Sequence, residues 1–164
     1  MTRRLVLSMI LVLGAAGGAR AQGWSVFKSD RFGFAMLVAP GTQWEARDSG
    51  NGWGGIHATK GVLEFAGIVR MGYRGTPKEL GDFAIAVTKI PGPAWKKTDQ
   101  GRNANGWNWW ETYEARNNMR NRVIFAVLGT GRRGSYILLL ETNQDDFAAH
   151  RDLYNQWYRS LTLY

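Results

Sequence analysis

The sequence predicts an α+β fold: an α/β/α sandwich with a central antiparallel sheet of about six to seven strands and a helix on each face. Three observations carry that expectation. Short β-type runs recur along most of the chain, and only two stretches have the start signals and periodicity of helices. The last three β runs, once paired, are apolar on both sides. A sheet with two dry faces needs cover on both.

Taken from the N-terminus, residues 1–21 have the three parts of a cleavable secretory signal. Arg3 and Arg4 are basic, residues 5–16 are apolar, and Ala19-Arg20-Ala21 precedes Gln22. The apolar run falls short of the roughly 20 residues of a membrane-spanning helix. The mature chain is therefore expected to be periplasmic or secreted and not an integral membrane protein. Residues 22–164 should form a single domain.

Residues 24–28 and 32–39 read as strands around Ser29-Asp30-Arg31, and Pro40-Gly41 ends the second. Residues 56–59 and 62–71 are strands that follow a glycine-rich loop. Thr76-Pro77-Lys78-Glu79 is a capping box with Pro at the first helical position. Leu80, Phe83, Ala84 and Val87 then recur at helical spacing before Pro91. Residues 107–115, 120–128 and 135–142 are three further β runs separated by Asn- or Gly-rich turns. A second helix begins near Asn143, with Asp145 and Asp146 at its positive end. Its apolar stripe is Phe147, His150, Tyr154, Trp157, Tyr158 and Leu161.

A tight turn at Asn117-Asn118 and a six-residue loop over 129–134 would set the pairing of the last three strands. One face then carries Trp110, Val123, Phe125, Val127, Tyr136, Leu138 and Leu140. The other carries Trp107, Trp109, Ile124, Ala126, Leu128, Ile137 and Leu139.

Composition narrows the function classes. The 164 residues contain no Cys, which excludes a disulfide framework, a thiolate metal site and a thiol nucleophile. Eight Trp, six Tyr and seven Phe within a 45% hydrophobic chain exclude a disordered one. The formal net charge is +8, with Arg3, Arg4 and Arg20 in the leader.

Ser29-Asp30-Arg31-Phe32-Gly33-Phe34, followed by Ala39-Pro40-Gly41 and Trp44, resembles the aromatic-Gly-Phe…Pro…Trp opening of PsbP-like proteins. The closing helix over 145–159, running into Ser160-Leu161, resembles that family's C-terminal signature. The likeness covers most of residues 24–164, although 94–106 matches nothing in the pattern. The family includes the extrinsic lumenal subunit of photosystem II, eukaryotic Ran-binding nuclear import factors and exported bacterial proteins. The resemblance implies an α/β/α sandwich and accessory or binding roles without catalysis. It places no functional residue on this chain.

Candidate chemistry is sparse. Gly50, Gly52 and Gly55, and again Gly129, Gly131 and Gly134, match G-x-G-x-x-G. A dinucleotide site needs a helix immediately after such glycines, whereas strands follow both, so both read as hairpin loops with glycines at positive φ. His57 lies in a strand and His150 in an apolar helix stripe, where a core or boundary position accounts for it. Neither has a partner at metal-ligand spacing. No serine sits in a nucleophile elbow. Arg116, Arg120 and Arg122 cluster near one turn, and Arg132 and Arg133 near another roughly 30 Å away, which makes no continuous nucleic-acid stripe. Trp53, Trp95 and Trp107 beside Gly- or Pro-rich loops are either exposed anchors or core.

The carboxylates offer the sharpest candidate. In the expected register Arg122 is diagonal to Glu111 and opposite Glu141, with Trp109 and Tyr113 alongside. Carboxyls two strands apart would be roughly 9–10 Å from each other, near the upper end of the inverting-glycosidase spacing of about 6.5–9.5 Å. An arginine between them favours the ionised form of both, which opposes general-acid work. Trp109, Glu111, Tyr113, Arg122 and Glu141 are thus expected to be a ligand or partner surface, with no catalytic, cofactor or metal residue. The resulting expectation is an exported, non-enzymatic accessory domain serving an envelope or extracellular protein partner. A glycan-binding module or weak glycan hydrolase is the alternative.

Overall fold

Residues 122–143 contain two strands in which nearly every side chain is buried, and they form the centre of the molecule. The structure is a computed structural model and describes residues 23–164; the leader expected over 1–21 lies outside them. The chain runs β1 (Ser25–Ser29), β2 (Phe34–Val38), β3 (Gln43–Gly50), β4 (Trp53–Lys60), β5 (Leu63–Met71) and α1 (Pro77–Thr88). It continues as β6 (Trp95–Ala104), β7 (Trp107–Asn117), β8 (Arg122–Gly131), β9 (Gly134–Asn143), α2 (Gln144–Ala149), α3 (Arg151–Ser160) and β10 (Thr162–Leu163). The result is α+β, with an antiparallel seven-stranded sheet ordered β3-β4-β5-β9-β8-β7-β6. A second, three-stranded sheet is ordered β1-β2-β10.

The alternation along β8 and β9 feeds two separate buried clusters. Ile124, Ala126, Leu128, Ile137 and Leu139 pack with Leu80 and Ala84 of α1. Val123, Phe125, Val127, Tyr136, Leu138 and Leu140 pack with Phe147, Tyr154 and Trp157 of α2 and α3, and with Phe34, Met36 and Val38 of β2. The cover therefore differs from the expected one helix per face. The second face takes two short helices and the small sheet, because β1 and β2 leave the main sheet and lie across it.

The capping box forms as its spacing demands. Glu79 N donates to Thr76 Oγ1 at 3.3 Å, and Thr76 N donates to Glu79 Oε2 at 2.7 Å. The helix stops at Thr88, two residues before Ile90 and three before Pro91, because Lys89 adopts a left-handed conformation (φ 60°).

Several expectations need correction. The β7–β8 connection is not a two-residue turn: Asn117 pairs with Arg122 around a turn of 3₁₀ helix over Asn118–Arg120. Asn121 takes the left-handed position and the Asn117 side chain caps Arg120 N at 3.2 Å. The β8–β9 loop is Arg132-Arg133 alone, with Thr130 opposite Ser135. Gly129, Gly131 and Gly134 lie in strands at ordinary φ, unlike Gly50 at the end of β3 and Gly52 in the β3–β4 turn. These three are small for want of space: a Cβ on Gly129 would sit 2.2 Å from the Trp109 carbonyl oxygen. A bulge between Trp107 and Trp109 turns Trp107 onto the face of Val123 and Tyr136, opposite to expectation. The second helix breaks at His150, which projects its side chain outward at 55% exposure instead of joining the core.

The main sheet and the small one are in close contact where Gly67 of β5 meets the ring of Phe34. A Cβ at Gly67 would lie 2.2 Å from that buried ring. Gly67→Ala is expected to lower unfolding free energy by about 1–3 kcal/mol, as overpacking does, read from the urea midpoint at unchanged slope.

Candidate functional site

The expected surface divides into two places. Glu111 pairs with Leu128 on β8, six residues along that strand from Arg122, so about 20 Å separates them. The cause is the longer β7–β8 turn, which slides β7 by four residues against the expected pairing. Arg122 stands opposite Asn143, not Glu141, and reaches diagonally to Glu141. Glu111 and Glu141 are about 16 Å apart, four residues along and two strands across. That exceeds the spacing of a glycosidase pair. The structure does not bring the three charged residues together.

Arg122 and Glu141 form a bidentate ion pair, Nε to Oε1 and Nη2 to Oε2. The Glu141 carboxylate holds the guanidinium protonated even more firmly than usual, with Glu64 adding to the field. The hollow beside them is about 40 Å³, bounded by Arg47, Glu64, Thr88 and Leu139. That is room for no more than a few ordered water molecules. This half of the candidate surface is mostly buried, with the side chains of Arg122 and Glu141 26% and 16% exposed.

Trp109, Glu111 and Tyr113 occupy an open place near the sheet's free edge. They share the α1 face of β7, and the edge strand β6 pairs alongside, Gln100 with Glu111 and Arg102 with Trp109. Trp109 and Glu111, with Gln100 and Arg102 of β6 and Pro77 at the start of α1, line a cleft of about 340 Å³. Glu111 accepts from Lys97 Nζ at 2.5 Å and from the Tyr113 hydroxyl at 2.5 Å. Burial pushes its carboxyl pKa up, but these two donors outweigh burial and hold it below the usual range. The Tyr113 hydroxyl is pushed well above its ordinary value by burial and by that carboxylate. Glu111 is thus held in its ionised form beside an indole.

The other singled-out residues serve the fold. Trp53 is buried and stacks on Phe83 with ring centroids 4.5 Å apart. Trp95 Nε1 donates to the Ile90 carbonyl at 3.1 Å, and Trp107 is buried against Tyr136. His57 pairs with Glu64 at 3.1 Å. Arg133 donates to the carbonyls of Asp30 and Arg31, and Arg74 to those of Gly131 and Arg132, so basic side chains staple loops together. Sequence reasoning missed Gln100 and Arg102 altogether. The polar run from Lys96 to Ala104 looks like loop, and only its pairing with β7 reveals a strand.

An antiparallel sheet of seven strands with the helices and small sheet described above is the PsbP-like fold. The solution structure of cyanobacterial PsbP from Synechocystis sp. PCC 6803 matches with a TM-score of 0.58 over 93% of this chain and 99% of that one, at 18% identity. At that identity the likeness is one of fold. No protein-family model and no curated protein sequence matches the chain. Among the described residues no helix is long and apolar enough to cross a membrane.

Because the folded Glu111 pKa is depressed, its contribution to stability is complete above its ordinary value near 4.5 and is lost as pH falls through the lower folded value. The stability difference between the wild type and Glu111→Gln should therefore be constant from neutral pH to about 5 and shrink towards pH 3. Parallel urea titrations along that pH series measure it.

Proposed function

We propose that this chain is an exported, non-enzymatic accessory domain that binds an envelope or extracellular protein partner. In this reading residues 22–164 work as a single PsbP-like domain, a sandwich with helical cover on its two sides, after removal of residues 1–21. The observation that carries the proposal is the open cleft at Trp109 and Glu111, where a fixed anion, an indole and the polar side chains of β6 converge. Such a mixture suits recognition: aromatic and arginine side chains dominate binding energy at interfaces. The same carboxylate is clamped in its ionised state by Lys97 and Tyr113, which suits it poorly to protonating a leaving group. The PsbP-like fold and the accessory roles implied by the resemblance point the same way.

Glycan binding in this cleft is the second reading. It is favoured by one feature, the half-buried Trp109 ring lying beside the side chains of Gln100 and Glu111.

Affinity capture from an envelope fraction separates the readings. The wild-type domain should retain one protein reproducibly, and Trp109→Ala should weaken that retention at least tenfold, within the cost of removing an interface aromatic. Failure to retain any protein, together with quenching of tryptophan fluorescence by peptidoglycan fragments at millimolar concentration, would replace the partner reading with the glycan one. Turnover of such fragments that Glu111→Gln abolishes would overturn the non-enzymatic reading.

A further inference from the structure

The opposite face of the sheet's free edge holds a larger hollow unrelated to the cleft at Glu111. It runs between the edge strands and α3 and has a volume of about 510 Å³. A second hollow of about 200 Å³ adjoins it, and Asp99, Thr112, Tyr158 and Arg159 line both. The two are one groove. At one end lie the buried rings of Phe125 and Phe147, and at the other Trp107, Trp110 and Leu161. The Tyr158 hydroxyl donates to the Tyr113 carbonyl at 2.6 Å, which fixes its ring at the groove's middle.

The charges across this groove are arranged unusually. Asp99 stands on the strand wall, at a register shift in β6 where it pairs with Thr112. Arg151, Asn155 and Arg159 recur every four residues along α3, a spacing that lines one side of a helix. Oppositely charged side chains thus face one another, yet among the described residues Asp99, Arg151 and Arg159 form no ion pair. Glu114 is engaged with Arg116 at 2.7 Å, and Arg151 lies over the Phe147 ring at 5.2 Å. Among the described residues the Asp99 carboxylate accepts only from the adjacent Gln100 backbone N–H, at 2.8 Å.

We propose that this groove binds a short peptide with free termini. Its ammonium group meets Asp99, its carboxylate meets Arg159 and Arg151, and apolar side chains enter the hollow at either end. A ligand bearing both charges completes the pairs that the protein leaves open. A simple anion or cation would satisfy one wall and leave the other unmatched. Volumes of roughly 300–1,000 Å³ are usual for small-molecule sites.

The dipeptide Phe-Leu with both termini free, titrated calorimetrically into the full chain, tests this. Saturable binding with a Kd of about 1 mM or tighter is expected. N-acetyl-Phe-Leu-amide should bind at least tenfold more weakly, since each charged hydrogen bond is worth about that factor or more. Asp99→Asn and Arg159→Ala each alter an exposed side chain, so circular dichroism should be unchanged while affinity for Phe-Leu falls about tenfold. Absence of binding at ten times that concentration, equal affinity for the blocked dipeptide, or unaltered affinity in both variants would each overturn the proposal. The cleft variant Trp109→Ala should leave this binding intact, which keeps the outcome separate from that of the partner reading.

Discussion

Two adjacent strands that are dry on both sides impose most of this structure. In β8 and β9 the residues of both parities are apolar, so each face of the sheet must be covered before the strands can leave water. The α1 stripe covers one face through Leu80 and Ala84. On the other face α2 and α3 share the cover with β1, β2 and β10. Small residues let that second layer sit close: Gly67 lies beneath Phe34, and Gly106 and Gly131 lie against Leu163. Specific hydrogen bonds then fix its position. The Tyr136 hydroxyl reaches the Phe32 carbonyl at 3.0 Å, Leu37 N reaches Ser160 Oγ at 2.9 Å, and Leu163 N reaches the Asn105 carbonyl at 2.9 Å. Burying this layer without those partners would strand polar groups in an apolar interior.

What could be read from the residues follows from which signals are local. The capping box at Thr76 and Glu79 involves four consecutive residues, and its start was legible as written. The two-sided alternation of Val123–Leu128 needs only strand periodicity, and its division between the two clusters is as expected. Turn lengths are not local in this sense. Asn117-Asn118 is a good turn dipeptide, yet the left-handed residue is Asn121, and nothing in the segment 117–121 identifies which of its three Asn takes that role. The strands β3 and β6 were illegible for another reason. As edge strands they are exposed on most positions, so the alternation that marks a half-buried strand is missing.

The same error therefore had unequal consequences. Sliding β7 by four residues, an even number, leaves every side chain on its original face. The predicted core survives such a slip almost whole. A site, however, depends on position along the strand, and four residues are about 13 Å. Glu111 was moved out of reach of Arg122, and Lys97 from the unread strand took the place of its partner. Trp107 shows the complementary case. One bulge, an odd change, carried it to the other face without changing its neighbours in sequence.

The edge strand β6 unites the functional readings. None of its ten residues is buried, and one wall of each cleft is built from it. Gln100 and Arg102 face the α1 side, whereas the irregularity between Lys97 and Asp99 brings Thr98 and Asp99 to the side of α3. Lys96, Lys97 and that bulge also discourage a second chain from adding to the free edge. Because the strand contributes little to either core, its residues can be chosen for what they contact outside the protein. The central strands supply rigidity, and both proposed binding sites draw on the strand that the core does not need.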